Sequence, residues 1–117
     1  AQRGMGDEEG ALSHLESAFR LDLTNVEVLC DLARLYQHRR DFAKAQKTFR
    51  ALLLQRFDAK SKLSKADVYF HLGEISAEQG DARKARSMFE RAASEDPQHP
   101  HAKARADALV PQRSSRV

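Results

Sequence analysis

The stretch ADVYFHLGEISAEQGDARKARSMFERAASEDP, residues Ala66–Pro97, is the best starting point in this chain. It divides at Gln79-Gly80-Asp81 into two segments whose apolar residues recur at helical spacing. The first segment puts Tyr69, Leu72, Gly73 and Ser76 on one face, and the second puts Ala85, Phe89 and Ala92 on one face. Gly73 and Ala85 are small enough to let two helix backbones approach, while Tyr69, Leu72 and Phe89 fill the space around the crossing. The spacing predicts a helical hairpin.

The pattern recurs upstream. Leu29-x2-Leu32-Ala33-x2-Tyr36 is followed by Ala45-x3-Phe49, with Arg40-Asp41-Phe42 standing where Gly80-Asp81-Ala82 stand later. Earlier still, Gly6-Asp7 precedes Ala11-x3-Leu15 and then Ala18. Asp7 and Asp41 are 34 residues apart, whereas Asp41 and Asp81 are 40 apart, so about six extra residues lie between the later two copies. Tyr-x2-Leu-Gly-x2-Ser, Ala-x3-Phe and Pro97, repeated at this period, resemble the tetratricopeptide repeat. Tyr69 departs from the usual Trp, and Ser76 from the usual Tyr. The resemblance spans Gly6–Pro97. It implies an all-α fold, an α-solenoid of antiparallel helix pairs in a right-handed superhelix, with about 2.5 repeats plus a C-terminal helix. Laid on the chain, it gives a single domain over 1–110. Within that domain, 6–25 is the second helix of a truncated repeat, 26–65 and 66–99 are repeats, and 100–110 is a terminal helix. Residues 111–117 are expected to form a disordered tail.

Local signals place the helix ends. Asp7 is expected to cap a helix that runs to Leu21, with Glu8 and Glu9 in the first turn, where the helix dipole favours anions. Thr24-x-x-Glu27 has capping-box spacing and opens a helix from Asn25 to His38. Asp41 caps a third helix that continues through Leu52–Leu54 to Phe57. The extra residues are expected to lengthen that helix and the next one, which opens at Ser64-x-x-Asp67 and ends at Gln79. Asp81 caps a fifth helix ending near Ser94. Pro100, suited to a first helical position, opens a short last helix that fades before Pro111. Strand-type alternation is nowhere in the sequence.

The totals narrow the function classes. The chain has 117 residues, 41% hydrophobic and 32% charged, with a formal net charge of +3. That length is too short for two ordinary domains, and the composition suits a helical globular one. No apolar run approaches the ~20 residues of a bilayer span. A leader with a basic start and an apolar core is not visible. Ala1–Met5 fall where the end of a first helix belongs, so a fragment excised from a longer protein is expected. The compartment is therefore open, with a cytoplasmic setting favoured. Cys30 is the only cysteine, which excludes an internal disulfide.

Signals for chemistry are few. There is no Gly-rich phosphate loop, no His-Glu-x-x-His and no nucleophile elbow. Cys30 has no sequence-level partner, and His99-Pro100-His101 offers two imidazoles around a proline rather than a ligand set. No catalytic residue, cofactor or metal is expected, and the chain does not read as an enzyme. Ser115-Arg116-Val117 fits a C-terminal ligand of the PDZ type if Val117 is the natural end.

The resemblance also implies a binding surface. In tetratricopeptide domains the first helix of each pair lines a concave groove, at the second, fifth, sixth, ninth, twelfth and thirteenth repeat positions. Carried over, these positions are Glu27, Cys30, Asp31, Arg34, Gln37 and His38, then Asp67, Phe70, His71, Glu74, Ala77 and Glu78. Carboxylates outnumber cations there, around one exposed aromatic, Phe70. The Lys, Asn and Arg that clamp a peptide carboxylate in this family are not reproduced, since those places hold Cys30, Asp31, Arg34 and His71. An acidic groove with an aromatic anchor suits a basic, partly apolar peptide or helix of a partner protein. The expected function is therefore protein–protein interaction or scaffolding.

Two other classes come from the ends of the molecule and from its charge. Exposed terminal helices offer a route to a homo-oligomer. Segment 39–65 carries 9 basic and 2 acidic residues, with Arg40, Lys44 and Lys47 on one outward helix face. Such a block can contact nucleic acid or an anionic surface. A solvated face is expected there, and neither nucleic acid nor membrane is the expected partner.

Overall fold

The computed structural model describes residues 2–22, 24–56 and 61–109, with side chains from residue 9 onward. Phe57–Lys60, the tail 111–117 and its Ser115-Arg116-Val117 motif lie outside the described residues. Within them the chain forms six helices and no strand: α1 (Gln2–Leu21), α2 (Val26–His38), α3 (Phe42–Leu53), α4 (Lys65–Glu78), α5 (Ala82–Glu95) and α6 (Ala102–Ala108). They fall into two compact units, one of residues 1–64 and one of residues 65–117. In the first, α1 packs on α2 and α2 on α3; in the second, α4 packs on α5 and α5 on α6.

Each hairpin turns through the same backbone device. The N–H groups of Arg40 and Asp41 donate to the carbonyls of Gln37 and Tyr36 at 3.0 and 2.9 Å, and those of Gly80 and Asp81 to Ala77 and Ser76 at 3.0 and 2.9 Å. This is the Schellman arrangement, which satisfies the last carbonyls of a helix by passing one residue through the left-handed region. That residue is Arg40 (φ 63°) in the first unit and Gly80 (φ 83°) in the second. The next residue then caps the following helix: Asp41 accepts from the N–H of Lys44, and Asp81 from that of Lys84. Gly80→Ala is expected to cost about 1–2 kcal/mol. Open space surrounds a Cβ at that position, so a urea melt would read backbone strain and not a clash. An unchanged midpoint would mean that the turn relaxes into another form.

The two hairpins bury matching sets. α2 and α3 bury Leu29, Leu32, Ala33, Tyr36, Ala45, Phe49 and Leu52, and α4 and α5 bury Leu72, Gly73, Ser76, Ala85, Phe89 and Ala92. A Cβ built on Gly73 would stand 2.7 Å from Cδ1 and Cε1 of Phe89, so glycine is what lets the ring lie against the α4 backbone. Each large apolar side chain buried in these faces contributes roughly 1.5–3 kcal/mol. Tyr69 is only partly buried, at the edge of a second-unit cluster that includes Phe70, Ala85, Phe89, Ala92, Ala102 and Ala106.

Several local expectations are corrected. α1 runs through Gly6-Asp7 without a break, so Asp7 is interior to a helix and not its cap. A Gly-Asp pair permits a turn without requiring one, and here the backbone hydrogen-bond ladder continues through it. Asn25, not Thr24, caps α2 by accepting from the N–H of Val28, while Thr24 donates through N and Oγ1 to Asp22. α3 ends at Leu53 with Leu54 exposed, so the extra residues do not lengthen it. Pro100 lies before the last helix, which starts at Ala102.

Candidate functional site

Helical spacing puts Glu27, Asp31, Arg34 and His38 in one line along α2, and Asp67, His71, Glu74 and Glu78 in one line along α4. Leu32 and Tyr36 are on the opposite side of α2 and are buried. Glu27, Arg34 and His38 are exposed, and Asp31 is half-buried. On α4, Glu78 is exposed and Asp67, His71 and Glu74 are half-buried. Cys30 and Gln37 flank the α2 stripe as Phe70 and Ala77 flank that of α4. Gln37 is half-buried and Ala77 exposed.

Two of the twelve positions are not open. Cys30 is 0% exposed and Phe70 is 9% exposed. The exposed aromatic anchor expected at Phe70 is thereby corrected. The cause is the same in both units: the segment after the hairpin folds back over this flank.

In the first unit that segment is Ser61–Ser64. Leu63 is buried, and its backbone N–H is directed at the Cys30 sulfur. Burial pushes the Cys30 thiol above its usual range, which makes it a packed side chain and not a reactive thiolate. Lys62 Nζ reaches both carboxylate oxygens of Asp31 at 3.0 Å. That hydrogen bond, reinforced by the carboxylate charge, raises the Lys62 ammonium above its usual range.

In the second unit the covering segment runs from His99 into α6. The Phe70 ring lies 5.2 Å from Phe89, 5.0 Å from His99 and 6.2 Å from His101, with the Arg105 guanidinium 5.4 Å from its centre. His99 Nδ1 accepts from the backbone N–H of His101 (3.3 Å) and Ala102 (3.2 Å). With that lone pair engaged, the ring proton sits on Nε2, which donates to Asp67 Oδ1 at 3.0 Å. Glu74 meets His71 Nδ1 at 3.0 Å and Arg105 Nη1 at 3.8 Å.

Lys62, His99 and Arg105 are thus the site residues that the stripe positions do not contain. A signal for them existed. Lys62 follows Asp31 by 31 residues and His99 follows Asp67 by 32, so a donor stands about one repeat beyond each carboxylate.

Among the described residues no group of three or more His, Cys, Asp or Glu side chains is placed to hold a metal. None of the described helices is long and apolar enough to cross a membrane. A family model described as Tetratricopeptide repeat matches residues 25–94, more than half of the chain, from the α2 cap into the last turn of α5. Among curated proteins, none matches the chain.

Proposed function

Because the chain belongs to the tetratricopeptide repeat family, whose repeats generally mediate protein–protein contacts, we propose that it binds a basic, partly apolar segment of a partner protein along the exposed stripe of α2. Glu27, Asp31, Arg34, Gln37 and His38 form that surface. The α4 stripe is not part of the proposed surface, because α6 and His99 already engage Asp67, Phe70 and Glu74. Members of this family are typically scaffolds and not enzymes, and the mechanism is preorganisation: a rigid helix face meets a segment that is ordered on docking.

One observation carries the preference for a basic segment. The stripe carboxylates take donors from elsewhere in the chain, Asp31 from Lys62, Asp67 from His99 and Glu74 from Arg105. A partner's lysine or arginine would make the same kind of contact at Glu27, where exposure leaves room.

The test is a display library of short basic peptides, each with one apolar residue, selected on the full chain. Glu27→Lys should abolish binding of the selected peptides while the melting temperature stays where it was, since that side chain is exposed. Selected peptides that bind this variant as well as the parent would sink the proposal.

A further inference from the structure

A second surface lies on the other side of α2, within the first unit. α3 turns Lys44, Lys47, Thr48 and Ala51 toward it, residues spaced so that they share one helix face. Together with Phe19 of α1 and Leu32 and Tyr36 of α2, this row encloses an open-mouthed cavity of about 280 Å³. The walls are mainly apolar. The Tyr36 hydroxyl donates to Glu16 Oε2 at 2.6 Å, so its polar end is satisfied. Burial and the Glu16 carboxylate push the phenol up to about 12 and keep it protonated. Thr48 Oγ1 likewise donates to the carbonyl of Lys44 at 2.8 Å.

The charge around this cavity has one sign on α3. That helix carries Lys44, Lys47 and Arg50 and no carboxylate. Lys44 Nζ lies 5.6 Å from the centre of the Tyr36 ring and 3.9 Å from Asp41 Oδ2, a loose pair in which the lysine side chain stays 61% exposed. Lys47 is exposed and pairs with none of the described residues. Glu16 is the acidic neighbour on α1, and it is engaged by Tyr36.

We propose that this cleft of α1, α2 and α3 binds an acidic segment of a partner protein that inserts one leucine- or phenylalanine-sized side chain between Phe19, Leu32, Tyr36 and Ala51. Charge complementarity selects carboxylates at Lys44 and Lys47. The apolar interior selects a peptide over a nucleic acid, whose phosphates would use the lysines and leave the cavity unfilled. The surface is separate from the α2 stripe, because Leu32 and Tyr36 point away from Glu27, Arg34 and His38. The two proposals therefore stand or fall independently.

The experiment selects peptides from a display library in which one Leu, Phe or Trp is flanked by Asp and Glu, using the full chain as bait, and measures affinity by fluorescence polarisation. A selected peptide should lose about tenfold or more in affinity when its apolar residue becomes Ser, and about tenfold with Lys47→Glu. Ala51→Leu, which fills the cavity, should give a similar loss. Lys47 is a surface residue, so Lys47→Glu reads out even if Ala51→Leu lowers the melting temperature. Any of five results would overturn the proposal: no acidic peptide is enriched; Lys47→Glu leaves affinity unchanged; loss of the apolar residue has no effect; a single-stranded oligonucleotide competes equally well, which would mark the lysines as a general anion surface; or the chain alone gains mass with concentration and Lys47→Glu abolishes the gain, which would make a second copy the occupant.

Discussion

Phe89→Ala should lower unfolding free energy by about 3–5 kcal/mol, the largest single-residue loss expected in this chain. Phe89 is 0% exposed, and its ring fills a notch that exists because residue 73 has no side chain. The same ring lies 5.2 Å from that of Phe70 and carries the Arg105 guanidinium 5.0 Å above its centre. Truncation therefore empties the crossing of α4 and α5 and also removes the floor on which α6 is held. The ring lies directly against the Gly73 backbone, so its removal leaves a cavity whose cost adds to the lost transfer free energy. Denaturant melts give the total, and hydrogen exchange followed by peptide fragment should show the loss first in residues 65–109.

Phe49→Ala should cost a similar amount, about 3–5 kcal/mol, but be felt in the other unit. Phe49 is also 0% exposed and stands 40 residues before Phe89 in the same repeat position. Forty residues before Gly73, α2 carries Ala33, which is also 0% exposed. Exchange protection should fall in α2 and α3 and persist in α4 and α5. A loss under about 1 kcal/mol for both variants would mean that these rings do not anchor their hairpins, and the assignment of the packing face would fail.

Much of this architecture was legible beforehand because it depends on short-range chemistry. Asp41 and Asp81 cap their helices since an aspartate just past a left-handed residue can reach the N–H three residues on, whatever surrounds it. Phe49 and Phe89 are buried because a phenylalanine four residues after a small alanine lies on the same helix face, and that face must be covered. Where a local signal had competitors, it was less reliable. Asn25 took the cap that Thr24 also offered, and α1 continued through a Gly-Asp pair that ends a helix elsewhere.

Composition and periodicity alone settled the fold class, since helical spacing repeated three times leaves no room for a sheet, and the repeat carried its family with it. Exposure along the stripes was a matter for the tertiary structure. Cys30 and Phe70 occupy positions that periodicity assigns to an open surface, and each is closed by a segment about thirty residues further on, Lys62 and Leu63 in one case and His99, His101 and Arg105 in the other. Helical period says which side chains share a face. What comes to lie on that face depends on how the chain returns to it, and that is settled by packing between residues remote in sequence.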